Sequence, residues 1–396
     1  MNRPTQTVWD VLTSLKLTIV CLAVLMVLVV ACTLAQVKLG TWGAVELYMR
    51  AWLVWGRLPG TSLSFPVFPG GALVGLVLMV NLAAAQLRRL ELSWKKAGLW
   101  ITHAGLILLF VGEFITGVYQ VDTRLAVEVG QTVDFVESPR DHELSLVDVT
   151  DPATDEVYGV PEQLLARADE IALPGTPVTL KVHGFFRDAI LTNRRAGDPP
   201  ALATMGVGTQ VSVREPTLAE RQAAGPEDER IRMTSAYVEP VAGGRSYGTW
   251  LVSMGLGAPQ SFTHEGRTYT LSMRPRRWYL PYSVTLKEFR HDVYEGTQIP
   301  KNFSSLVQLK DPRSKEDREV LIFMNQPLRY DGKTFYQASF GKGDTLSILQ
   351  VVENPGWLLP YVSCILVGIG LIVHFGIALR RGLRRRADVE VAEATT

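Results

Sequence analysis

Apolar residues run almost unbroken in four stretches of the chain and alternate with polar residues through most of the long interval between the third and the fourth. A helix needs ~20 mostly apolar residues to cross ~30 Å of hydrocarbon. Leu17–Val37, Val67–Leu87, Ala97–Val118 and Gly356–Ala378 each meet that length. Between Tyr119 and Pro355 the period changes to two. Leu125–Val129, Glu143–Val149, Val178–Val182, Gln210–Arg214, Tyr282–Lys287, Ser305–Leu309, Val320–Met324 and Leu346–Val351 read as half-buried strands. Glu265-Gly266 and Asp331-Gly332 carry the residues that hairpin turns need. The segment Ala189–Arg230 is rich in Pro, Gly, Ala and charge and reads as a long loop. The expected organisation is a membrane protein with four transmembrane α-helices in a 3+1 layout. Its large extracytoplasmic β-rich domain, a sandwich or open barrel, is inserted between helices 3 and 4. The expected domains are residues 1–118, 119–355 and 356–396.

Charge sets the expected orientation. Arg88, Arg89, Lys95 and Lys96 fill the short turn between the second and third spans, and Arg380, Arg381, Arg384, Arg385 and Arg386 follow the fourth. Positive loops stay on the cytoplasmic side, which puts both termini inside and residues 119–355 outside. Val29-Val30-Ala31-Cys32 resembles a lipoprotein cleavage box with Arg3 and Lys16 before it. The apolar run is longer than the 7–15 residues of a signal peptide, so an uncleaved membrane helix is expected. Trp42, Val45, Tyr48, Trp52 and Trp55 recur at helical spacing among Glu46, Arg50 and Arg57. They predict an amphipathic helix near 42–57, at the membrane interface or packed on its own protein.

The chain has 396 residues, 47% of them hydrophobic and 20% charged, a division between bilayer and water. A net charge of +1 offers no field for nucleic acid. Cys21, Cys32 and Cys364 all lie in apolar runs, which excludes a disulfide scaffold, a Cys-x-x-Cys site and a covalent c-type haem on this chain. No nucleophile elbow, phosphate loop, dinucleotide fingerprint or paired carboxylates appear, so no catalytic residue is assigned.

Ionisable groups inside a bilayer are costly and therefore functional candidates. His103 lies about 9 Å, and His374 about 6 Å, from the cytoplasmic ends of their spans at 1.5 Å per residue. Asn81 comes to about the same depth. Gly98, Gly105 and Gly112 recur every seven residues and form one strip of the third span. His103 lies about 160° from Gly105, on a face with Trp100, Ile107, Phe110 and Phe114. An imidazole in an aromatic stripe suits a haem-iron ligand, and equally a structural histidine bonded to a carbonyl or to Asn81. Glu113 reads as an interfacial carboxylate. His142, His183, His264 and His291 show no metal-ligand spacing and read as surface or turn residues, and Trp278–Tyr282 as packing.

The order of motifs resembles the ResB family of system II (Ccs) cytochrome c biogenesis over most of the chain. The likeness begins at Leu15–Thr18 and Thr33–Gln36 and continues with Trp100–Leu108, Pro281–Phe289, Met324–Leu328 and Gly332–Ser339. It closes at Val351–Gly356. The resemblance implies haem b as non-covalent cargo, with His103 matching the family's transmembrane histidine and His374 one found in part of the family. It implies a CcsA (ResC)-type haem-handling partner, apocytochrome c and a thiol reductant protein of the same pathway. It also implies the bacterial inner membrane and a non-catalytic or co-catalytic role in a holocytochrome c synthase. The tryptophan-rich motif of the partner is absent, and the outer domain is shorter than in many relatives, which leaves room for a specialised paralogue. The competing reading is a membrane-anchored scaffold with structural histidines. A solute transporter is disfavoured by four spans without paired broken helices.

Overall fold

The computed structural model describes residues 9–57, 64–89, 93–195, 197–217, 220, 232–297 and 300–394. Arg3, and residues 196, 218–219 and 221–230 of the segment read as a loop, lie outside them. The chain divides into two compact units, Met1–Val121 with Asn354–Thr396, and Asp122–Glu353.

Among the described residues, the first unit holds four helices long and apolar enough to cross a membrane. They are α1 (Leu15–Ala44), α2 (Gly71–Arg89), α3 (Ala97–Tyr119) and α4 (Leu359–Ala394). α1 starts where the Ser14 hydroxyl accepts the Lys16 N–H at 3.2 Å, a side-chain cap for an otherwise orphan donor. It breaks at Gly40, whose φ of +73° a side chain would resist. The helix near 42–57 is therefore shorter than expected. Helical backbone resumes after Gly40 and ends at Arg50, its last turn wound as a π-helix. Leu53–Arg57 (β1) and Ser64–Pro69 (β2) then pair as an antiparallel hairpin. The reason lies in composition: Leu-Val-Trp and Phe-Pro-Val-Phe favour extended backbone, and Pro66 and Pro69 cannot continue a helix. The same prolines move the second span's start from Val67 to Gly71.

α1 and α2 pack through Cys21, Leu28, Val74 and Leu78, with Val54 of the hairpin in the same cluster. α3 and α4 pack through the glycine strip. Gly98, Gly105 and Gly112 are the buried residues of α3. A Cβ on Gly98 would lie 2.6 Å from the Gly370 carbonyl oxygen and 2.7 Å from the His374 Cα. One on Gly105 would lie 3.0 Å from the Ser363 carbonyl oxygen. Asn354 ties the ends of this pair, its Nδ2 donating to Thr116 Oγ1 at 3.1 Å.

The second unit is β-rich. Its strands are β3 (Val121–Glu128), β4 (Thr132–Asp148), β5 (Glu156–Pro161), β6 (Glu170–Ala172), β7 (Val178–Phe186), β8 (Ile190–Asn193) and β9 (Val211–Arg214). They continue with β10 (Ser235–Ala242), β11 (Arg245–Ser246), β12 (Trp250–Ser253), β13 (Gln260–His264) and β14 (Arg267–Val293). The last are β15 (Pro300–Asp311), β16 (Glu316–Phe323), β17 (Leu328–Tyr330), β18 (Lys333–Gly341) and β19 (Leu346–Glu353). Part of the expected loop is ordered as the β8–β9 hairpin.

Two cores share two long strands. β4 gives Leu144 and Leu146 to the first core and Val133 and Val136 to the second. β14 gives Tyr269 and Leu271 to the first, Tyr282, Val284 and Leu286 to the second. The pairing of β4 with β14 slips at Pro275, which has no N–H for the ladder. The large sheet runs β16-β15-β14-β4-β3-β19-β18-β17. Its two ends meet around the second core, where Ile322 of β16 and Leu328 of β17 pack with Leu125 and Val351. An open barrel results. Glu265-Gly266 and Asp331-Gly332 sit at φ of +48°/+81° and +49°/+74°, as type I′ hairpin turns require.

Candidate functional site

His103 is held by its own helix. Its Nδ1 lies 2.8 Å from the Leu99 carbonyl oxygen, one turn earlier. A carbonyl can only accept, so the proton sits on Nδ1 and the lone pair on Nε2. Nε2 has no hydrogen-bond partner among the described residues. An imidazole fixed through Nδ1–H···O=C with Nε2 bare is the tautomer that ligates metals. Around it Trp100 and Ile107 are half-buried, Phe110 is 38% exposed and Phe114 is 69% exposed. The glycine strip is on the other side of α3 and α4 covers it, so the histidine face has aromatic cover on one edge and open apolar surface toward Phe114.

His374 belongs to the covered side. Its backbone faces Gly98, and its ring rests edge-on to Phe375 at 5.5 Å. The His374 backbone thus packs on the glycine side of α3, and His103 lies on the opposite side of that helix. Asn81 is separate from both. Its Oδ1 accepts from Thr18 Oγ1 at 2.6 Å, and its Nδ2 donates to the carbonyls of Leu12 at 2.6 Å and Ser14 at 3.2 Å. Similar depth placed it with the histidines in the sequence, but its hydrogen-bonding capacity goes to the start of α1. Glu113 is exposed.

Two of the four β-unit histidines are not surface residues. His142 is 5% exposed and His264 is 7% exposed. His142 Nδ1 sits 2.8 Å from Thr234 Oγ1 and 3.5 Å from Glu162 Oε2, while Arg232 Nη2 reaches Glu162 Oε1 at 3.2 Å. Burial pushes the Glu162 carboxyl up, but the bond to His142 and the charge of Arg232 outweigh it and hold the group below its usual range. His264 Nδ1 and the Tyr247 hydroxyl are 2.6 Å apart. His183, exposed, pairs with Glu239 at 2.6 Å, and His291 Nδ1 lies 3.2 Å from Asp344. These side chains come from segments far apart in the chain, and no sequence spacing announces them. No group of three or more metal-binding side chains forms among the described residues. In the Trp278–Tyr282 run, Leu280 and Tyr282 face the second core and Tyr279 is exposed.

Comparison with known proteins locates the resemblance. Protein NrfI of Wolinella succinogenes is 35% identical over 102 residues, which are 26% of this chain and 11% of that protein. The chain thus matches about a ninth of the length of that relative. Residues 241–348, from the end of β10 into β19, match the ResB-like family. This matched segment, about a quarter of the chain, supplies the strands β14 to β18 of the second core.

Proposed function

We propose that the protein is a haem-delivery and assembly subunit of a system II cytochrome c synthase. It would lie in the bacterial inner membrane in a 3+1 arrangement, with both termini cytoplasmic and the β-rich unit on the outer side. Haem b is the cargo. His103 offers Nε2 to the iron, and Trp100, Ile107, Phe110 and Phe114 offer apolar contact to the porphyrin. A CcsA-type partner covers the open side of that face and passes haem outward to apocytochrome c, whose thiols a reductant protein of the pathway keeps reduced. The observation that carries this reading is the His103 imidazole itself, fixed through Nδ1 on Leu99 and turned away from the glycine strip that α4 occupies.

A scaffold role without haem is favoured by one fact: the matched residues 241–348 lie in the β-rich unit and do not include His103. Co-expression with a tryptophan-rich CcsA-type protein separates the two readings. Haem delivery requires that the pair co-purify with a Soret band that His103→Ala weakens or abolishes. A stable pair with no haem, or with a spectrum indifferent to His103→Ala, sustains the scaffold instead.

A further inference from the structure

Close packing of α3 on α4 has a consequence at the end where α3 begins. Gly370 and His374 lie on the α4 stripe that touches Gly98. Seven and eleven residues further along a helix return to within about 20° of the same stripe. Arg381 and Arg385 therefore continue it beyond the first residue of α3. The guanidinium Nη2 of Arg381 donates to the Lys95 carbonyl oxygen at 3.3 Å, which fixes the foot of α3 against it. Arg385 lies about 6 Å further along the axis, where α3 has already ended. Arg380, Arg381, Arg384, Arg385 and Arg386 are exposed. None of the five has a carboxylate partner among the described residues. Arg88 differs, being engaged by Asp10 and Thr13. Trp94, 91% exposed, directly precedes Lys95 in the chain.

We propose that the notch at the foot of α3 binds the headgroup of an anionic phospholipid, with Arg381 and Arg385 on its phosphate and Trp94 at headgroup depth. The inference rests on the reading that α3 and α4 lie in a membrane. A guanidinium fork matches phosphate oxygens. Basic pockets between helices at a membrane surface recruit acidic headgroups, and tryptophan anchors at that depth. Lipid is favoured over free phosphate because the notch lies at the end of two apolar helices, where acyl chains run beside it.

Native mass spectrometry of the detergent-purified full chain, titrated with phosphatidylglycerol, cardiolipin and phosphatidylcholine, tests this. The anionic lipids are expected to bind in preference to phosphatidylcholine and to resist inorganic phosphate at equal concentration. Arg381→Gln with Arg385→Gln should weaken anionic-lipid binding about fivefold per charge, ~25-fold for the pair. The corresponding Lys pair, which keeps the charge that orients the helix, should retain most of it. Equal binding of phosphatidylcholine, displacement by inorganic phosphate, or unchanged binding in the Gln pair would each overturn the notch. A chain that stays dispersed without detergent would instead refute membrane embedding.

Discussion

Gly98 and His374 touch backbone to backbone: a methyl group on the glycine would stand 2.7 Å from the His374 Cα. The lipid environment gives helices no hydrophobic reason to associate, so such close approach is where α3 and α4 gain their packing. The contact also places the backbone of His374 at the α3–α4 seam, whereas His103 lies on the opposite side of α3 from the glycine strip.

Gly105→Leu should therefore damage the protein far more than Leu106→Ala. The leucine must displace Val367 and the Ser363 carbonyl, which an added Cβ already meets at 2.8 and 3.0 Å. Overpacking of this kind costs ~1–3 kcal/mol or more. Leu106 is half-buried and its truncation opens space without a clash. Membrane levels and melting temperatures in detergent distinguish the variants, and equal values for both would contradict the seam.

Asn81→Leu should loosen the start of α1. It deletes one acceptor and two donor contacts, to Thr18, Leu12 and Ser14. Polar contacts between apolar helices are worth ~1–2 kcal/mol. Faster proteolysis near Leu12 with unchanged haem binding is expected. Haem loss equal to that of a His103 variant would place Asn81 in the haem site after all.

The β-rich unit should lose stability in acid. Arg313 first, with help from Tyr330, holds the Asp311 carboxylate well below its usual range. A depressed carboxyl contributes stability fully above its unfolded pKa, ~4, and loses it as pH falls through the folded value. Glu162 acts in the same direction. Melting temperatures of the full chain should be flat from pH 7 to about 5 and fall below about 4. Asp311→Asn should melt lower at pH 7 and converge on the parent in acid. Parallel curves at every pH would show that the Arg313–Asp311–Tyr330 group contributes nothing.

A reporter fused after Thr150, which is exposed at the end of β4, should be active on the outer side of the membrane. The basic residues at Arg88–Lys96 and Arg380–Arg386 motivate this orientation. Activity confined to the cytoplasm would invert the proposed topology.

Sequence legibility followed the range of each interaction. The glycine strip was readable because one helix repeats it every seven residues, and the I′ turns because Glu-Gly and Asp-Gly act within two residues. Beyond Arg50 the pattern fits both periods, because Trp52 and Trp55 suit a helix face as well as a strand, and Pro66 and Pro69 on the partner strand decide for the hairpin. His142 looked like a turn residue because Glu162, Arg232 and Thr234 are 20, 90 and 92 positions away. Asn81 shared a depth with the histidines, but depth carries no azimuth.

In the proposed haem site His103 supplies one axial ligand of the iron. The second histidine could come from this chain, as His374, or from the partner. Positions argue for the partner, since Gly98 holds the His374 backbone at the seam while His103 lies about 160° from Gly105. His103→Ala should therefore lose or weaken the Soret band of the co-purified pair, and His374→Ala should leave it largely intact. An internal pair would behave differently, with either change converting a six-coordinate low-spin spectrum to a five-coordinate one. Adding imidazole should restore the spectrum of His103→Ala, because removal of the ring leaves a cavity above Leu99 that imidazole can fill. Leu99→Ala gives a finer check: its carbonyl remains, so the Nδ1–H bond and the spectrum should both survive. Loss of haem in His374→Ala with α3–α4 packing intact would reverse the assignment and make the seam the ligand site.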